Sequence, residues 1–128
     1  MNKNKKTFDK LIDITLLSRK KGYCKVKLNF KKVYLNHGGI VHGGVIATLL
    51  DMTLAKAVST LMNKNEWCVT AQLNIHFISP AFPGKPIYAH AEVKRKGKTL
   101  AFVEGGIETS SKTQIARAQG IWVIKSKG

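Results

Sequence analysis

Residues 35–62, LNHGGIVHGGVIATLLDMTLAKAVSTLM, decide the fold. Two glycine pairs, Gly38-Gly39 and Gly43-Gly44, interrupt any regular element before an almost wholly apolar run begins at Val45. From Val45 to Met62 only Thr48, Asp51, Thr53, Lys56, Ser59 and Thr60 break that run, so apolar positions go nearly all the way round a helix. The pattern predicts a long helix over 45–62, buried rather than amphipathic. Such a helix needs a surrounding sheet.

The flanking sequence supplies one. Downstream, Trp67, Val69, Ala71, Leu73, Ile75 and Phe77 alternate with polar or small residues, giving a long strand that ends before Pro80 and the Pro83-Gly84 turn. Ile87, Ala89, Ala91 and Val93 alternate in the same way up to a hairpin turn at Lys96-Gly97-Lys98. A third strand over about 99–109 carries Gly105-Gly106, a signal for a bulge or a close backbone approach, and a fourth spans about 114–124. Upstream, Tyr23 to Phe30 alternates with period two, and Val33 to Leu35 extends that strand after a break. Phe8, Leu11, Ile12, Ile14 and Leu17 are spaced for a short amphipathic helix, with Arg19, Lys20, Lys21 and Gly22 as its last turn. The order is α+β: an antiparallel sheet curled around one central helix.

The 128 residues fit one domain, 1–128, in which 1–22 form a basic segment with a short helix. Hydrophobic residues make up 44%, enough for a real core. The charge balance is the outlier, with 22 Lys and Arg against 7 Asp and Glu, or +15. That excess favours polyanionic partners such as phosphorylated cofactors, nucleic acid or headgroups. Nearly all of it is lysine; the three arginines are Arg19, Arg95 and Arg117, which disfavours readout of base edges by bidentate forks. Cys24 and Cys68 form no CxxC pattern and read as small buried hydrophobes in a reducing, cytoplasmic setting. No apolar run suggests a signal peptide or a membrane span. His37, His76 and His90 have no metal-ligand spacing, so no metal is expected.

Asp51 demands an explanation, because an ionised carboxylate within an apolar helix costs several kcal/mol unless paired or wetted. Thr48, Ala55 and Ser59 fall on its side of the helix, a stripe suited to a solvent-filled crevice; a structural aspartate bonded to a hydroxyl or amide is the alternative. Lys56, five positions on, reads as a poor partner. His42-Gly43-Gly44 leads into the helix N-terminus, where backbone N–H groups lack intrahelical partners and the dipole is positive. Glycine there lets a carbonyl oxygen approach, so the turn is a potential oxyanion hole, or simply a tight turn. Eight residues separate Gly43 from Asp51, about 12 Å along a helix axis. If both act on one thioester, a twofold dimer with antiparallel helices is the simple solution.

The segment from Asn36 through HGGIV, His42-Gly43-Gly44 and VIATLL to Asp51, followed by VTAQLNIHFISPAFPGKPIYAHAEVKRKGKT, resembles the hotdog-fold acyl-CoA thioesterases of the phenylacetic-acid-degradation type. The likeness spans about residues 28–124. It implies a sheet-wrapped helix, edge-to-edge dimers and usually tetramers, and hydrolysis of acyl-CoA to free acid and coenzyme A without a further cofactor. It implies that Gly43 polarises the thioester carbonyl and that Asp51 is general base or nucleophile. By the same resemblance Asn36 lies near the thioester, His42 holds the loop, and Thr70 stands where some members have a water-orienting serine. Lys94, Arg95, Lys96 and Lys98 could meet the phosphates of coenzyme A by charge. The rival readings are a hotdog module that binds acyl-CoA without cleaving it and, from charge alone, a nucleic-acid-binding domain.

Overall fold

A computed structural model describes residues 6–128. Most of the charged run at 2–6 therefore lies outside the described residues. A 3-10 turn at Phe8–Leu11 precedes β1 (Ile14–Lys20) and β2 (Tyr23–Leu28), and a second, Lys32–Tyr34, leads toward α1 (Gly43–Ser59). Four strands follow: β3 (Glu66–Phe77), β4 (Ile87–Lys96), β5 (Leu100–Thr109) and β6 (Gln114–Ser126). They form one six-stranded antiparallel sheet in the order β1-β2-β4-β5-β6-β3, wrapped around α1. This is the α+β architecture expected, with β1 and β3 at the two edges.

The core lies between α1 and the concave face of the sheet. Leu49, Leu50, Leu54, Ala57 and Val58 of the helix are fully buried against Val26, Ala89, Ala91, Val103 and Trp122. Each buried Leu or Val contributes about 1.5–3 kcal/mol, so the helix and the sheet are each needed to bury the other. Close approach explains Gly105. A Cβ there would stand 2.2 Å from the His90 carbonyl oxygen and 3.0 Å from Leu54 Cδ1, so the position marks tight strand and helix packing and interrupts no pairing.

Several expectations are corrected. The amphipathic helix before Gly22 is instead the 3-10 turn and the edge strand β1, joined to β2 through a turn in which Gly22 takes φ 74°. Ile12, Ile14 and Thr15 are β-branched and pack well on a pleated surface. Buried Tyr34 ties this segment down, its hydroxyl accepting from the Asp13 N–H at 2.7 Å and donating to the Leu11 carbonyl at 3.0 Å. Val33 to Leu35 does not extend β2, since Lys32–Tyr34 is helical.

The central helix runs Gly43–Ser59 rather than 45–62, and only one of its faces is buried. Val45, Ala47, Thr48, Asp51, Met52, Ala55, Lys56 and Ser59 are half-exposed, because the sheet of one chain covers only the other side. In β3 a bulge changes which side chains face the helix. Thr70 pairs with Trp122 and Gln72 with Ile121, so Ala71 has no partner. Before the bulge Cys68 and Thr70 point to the helix side, and Trp67 and Val69 outward; after it Leu73 and Ile75 point inward. The single alternation expected over 67–77 is thus two half-strands of opposite parity. Cys24 is buried as expected, whereas Cys68 is only half-buried.

Candidate active site

The middle of α1 places Asp51 opposite the first half of β3. The Thr70 hydroxyl donates to Asp51 Oδ1 at 2.7 Å, a contact the bulge at Ala71 makes available. Asp51 opens into a cavity of about 430 Å³ lined also by Asp9, Met52, Ala55, Lys56, Ser59, Met62, Glu66, Trp67 and Cys68. The carboxylate is therefore wetted rather than sealed in the core, and the large desolvation cost expected for it falls away. Lys56 also lines the cavity but, as its position five residues on leads one to expect, forms no ion pair with Asp51. The Cys68 thiol is pushed up from its ordinary pKa by burial and by the Asp51 charge.

At the other end of α1 the loop 36–44 is built on its own hydrogen bonds. Asn36 Oδ1 accepts from the N–H groups of Gly38 at 2.8 Å and Ile40 at 3.3 Å, and the Asn36 N–H donates to the Ile40 carbonyl at 2.8 Å. The His42 N–H donates to the Tyr34 carbonyl at 2.7 Å, and His42 Nδ1 caps the helix by accepting from the Gly44 N–H at 2.7 Å. The His42 carbonyl takes the N–H groups of Val45 and Ile46. For the Gly43 N–H the described residues offer no acceptor. It is an orphan donor at the positive end of the helix, in an exposed turn without a Cβ to block approach. Gly43 and Asn36 share a crevice of about 330 Å³ with Ile46, Phe77, Pro80 and Ala81.

One chain thus brings Asp51 to Thr70 and Gly43 to Asn36 and His42, but in two separate cavities. Their spacing follows from the helix rise, about 12 Å for eight residues. Lys94, Arg95, Lys96 and Lys98 stand at the end of β4 and the turn into β5, and none lines either cavity of its own chain. Lys94 pairs with Glu92 at 3.0 Å on the exposed surface. The sequence reading missed Cys68, Met52, Met62 and Glu66 as cavity residues; for Cys68 and Glu66 the signal lies in the parity switch of β3, which alternation alone does not reveal, and for Met52 and Met62 in the uncovered outer face of the helix. Among the described residues no three His, Cys, Asp or Glu side chains gather in a metal-binding arrangement. No described helix is long and apolar enough to cross a membrane.

A sheet rolled around one helix in this strand order is the hotdog fold, and solved structures of that fold superpose closely. The Escherichia coli PaaI protein of the phenylacetic acid degradation operon matches with a TM-score of 0.81 at 24% identity, over 89% of this chain and 80% of that one. A Bacillus halodurans protein solved with CoA matches with a TM-score of 0.75 at 31% identity, over 79% of this chain and 66% of that one. Residues 38–116 fit the family model of the thioesterase superfamily. Human acyl-coenzyme A thioesterase 13 is 34% identical over 107 residues, 84% of this chain and 75% of that protein. The chain belongs to the thioesterase superfamily, and its enzymatic class is thioester hydrolysis.

Proposed function

We propose that this protein hydrolyses acyl-CoA thioesters, with Asp51 of one copy and Gly43 of a second acting on the same carbonyl. In this reading the Gly43 N–H donates to the thioester oxygen and stabilises the oxyanion as it forms. Asp51 takes a proton from the water that attacks the carbonyl carbon and hands it to the departing sulfur, or attacks that carbon itself to give a mixed anhydride that water then hydrolyses while the thiolate takes up a proton. In either route the C–S bond breaks and coenzyme A leaves as the thiol. Thr70 holds one Asp51 oxygen and leaves the other free. His42 caps the helix and so fixes the direction of the Gly43 N–H, while Asn36 shapes the crevice in which the thioester sits.

The observation that carries the proposal is the orphan Gly43 donor and the hydroxyl-held Asp51 carboxylate on one helix, too far apart to meet within one chain. A homodimer, or a homotetramer built from it, joins the halves if the helices run antiparallel. The unpaired edge of β3 supports such pairing, since its backbone groups are a ready template for a second copy. The relative solved with CoA supports the leaving group. Lys94, Arg95, Lys96 and Lys98 offer positive charge for its phosphates from a neighbouring copy, since they stand apart from both cavities of their own. A module that only binds acyl-CoA would have no use for a free carboxylate beside a free donor. Thiol release from short, long and aromatic acyl-CoAs, compared between the wild type and Asp51→Asn, tests the proposal. Equal rates would overturn it.

A further inference from the structure

The cavity beside Asp51 is unlike the rest of the molecule in charge. The chain has seven carboxylates and a net charge of +15, yet Asp9, Asp51 and Glu66 all line this one cavity, faced by Lys56. It runs in a definite direction. Asp51, Ala55 and Ser59 lie one turn apart along the half-exposed face of α1, with Met52 beside them and Met62 just beyond the helix end. Antiparallel to them, the first half of β3 presents Thr70 at Asp51, then Cys68, then Glu66 near Met62. The groove therefore leaves the reacting carboxylate over methionine, alanine and cysteine, soft and apolar side chains, and ends about 12 Å farther on at Glu66.

The two further carboxylates of the groove are both anchored. Glu66 Oε1 accepts from the Asn63 N–H at 3.1 Å, and Asp9 accepts from the Thr7 hydroxyl, which holds its carboxyl below the usual carboxylate range. Glu66 stands at the end of the groove beyond the helix, and Asp9 stands on its exposed rim.

Resting on the function proposed above, we infer that this groove is the acyl subsite: it takes an uncharged, straight-chain acyl group of about eight carbons, and Asp9 and Glu66 exclude acyl groups ending in a carboxylate. The length follows from the run between Asp51 and the helix end, and the exclusion from like-charge repulsion by a groove that carries three carboxylates, Asp9, Asp51 and Glu66, against Lys56 as the one cation among its described lining residues. The basic exterior attracts the phosphorylated end of the substrate while the groove rejects an anion at the other end.

The test compares octanoyl-CoA with suberoyl-CoA, which has the same chain length and a terminal carboxylate. The wild type is expected to favour octanoyl-CoA in kcat/KM by about tenfold or more, the effect of one repulsive contact worth about 1.4 kcal/mol. In Glu66→Gln and Asp9→Asn, which keep a hydrogen-bond acceptor, that ratio should fall toward one, and further in the double variant. Equal use of both substrates by the wild type, or an unchanged ratio in the double variant, overturns the inference. Absence of thiol release from every acyl-CoA overturns the hydrolytic reading instead. A second readout needs no turnover. The thioether S-octyl-CoA should protect Cys68 from maleimide while Cys24, fully buried, stays silent; alkylation of Cys68 at an unchanged rate in saturating S-octyl-CoA would overturn the location of the groove.

Discussion

The Thr70 hydroxyl lies 2.7 Å from Asp51 Oδ1, linking the middle of the helix to the edge strand across the cavity. A hydroxyl that donates to one carboxylate oxygen orients the other, and this bond is the clearest sign that the carboxylate has a task besides packing. Thr70→Val keeps the shape and removes the donor. It should lower kcat about tenfold with little change in KM, and Thr70→Ser should recover most of the loss. A valine variant as active as wild type would remove Thr70 from the mechanism.

Asp51→Asn keeps an acceptor for Thr70 and removes the carboxylate proposed as base or nucleophile. Turnover is expected to fall by about 10²–10⁴, while the unfolding midpoint moves little because Asp51 is half-exposed and has no ion-pair partner among the described residues. Steady-state assay and urea unfolding of the same preparation check both halves of this statement.

Gly43→Pro separates the backbone donor from the fold. Proline suits the first position of a helix, and His42, at φ −60° and ψ 138°, already has the extended conformation that a following proline requires. The variant should fold with near wild-type stability yet lose about 10²–10³ in kcat, the usual cost of one oxyanion donor. Gly43→Ala should be far milder, since its Cβ would meet only Phe77 Cε1 at 3.7 Å. Loss of activity in the alanine variant equal to that in the proline variant would contradict a role for the N–H.

Gly105→Ala is expected to act on the fold. Its Cβ has no room against the His90 carbonyl and the Ala91 Cα, both backbone, with the buried Leu54 methyl behind them, so overpacking should cost about 3 kcal/mol or more. Thermal unfolding measures it; a wild-type melting temperature would show that β4 and β5 can part without penalty.

His90 gives a pH signature. Burial lowers its pKa below the ordinary histidine value, outweighing the attraction of Glu108 3.9 Å away. The folded state therefore binds this proton less readily than the unfolded chain does. Its contribution to stability is complete above about 6.5 and is lost as the pH falls below that value. Urea midpoints at pH 7.5 and pH 5 should differ less in His90→Gln than in the wild type.

The sequence made the helix, its glycine-bounded start and most of the strands legible, because a continuous apolar run and clean alternation are local signals. The same was true of Asp51 and Gly43, an acid in an apolar helix and a glycine at its mouth. The strand Ile14–Lys20 was not legible, since it is an edge strand with most side chains exposed and its apolar residues fit a helical spacing equally well. Lys21-Gly22 between two apolar runs was the missed hairpin signal. Nor could the sequence show that the outer face of α1 stays uncovered in a single chain, because coverage depends on how far the sheet curls. The cavity residues Cys68 and Glu66 were hidden for a related reason: the partner strand β6 sets the register that turns them inward.

The unpaired position of Ala71 in β3 has an evolutionary corollary. Removing Ala71 alone would straighten the strand and still leave Thr70 and Cys68 looking at the helix, with Leu73 and Ile75 where they were. Removing or adding any residue on either side, with Ala71 kept, would exchange inside for outside along half the strand. Homologous chains can therefore gain or lose this one residue silently, while an equal change two places away rewrites the chamber beside the acid.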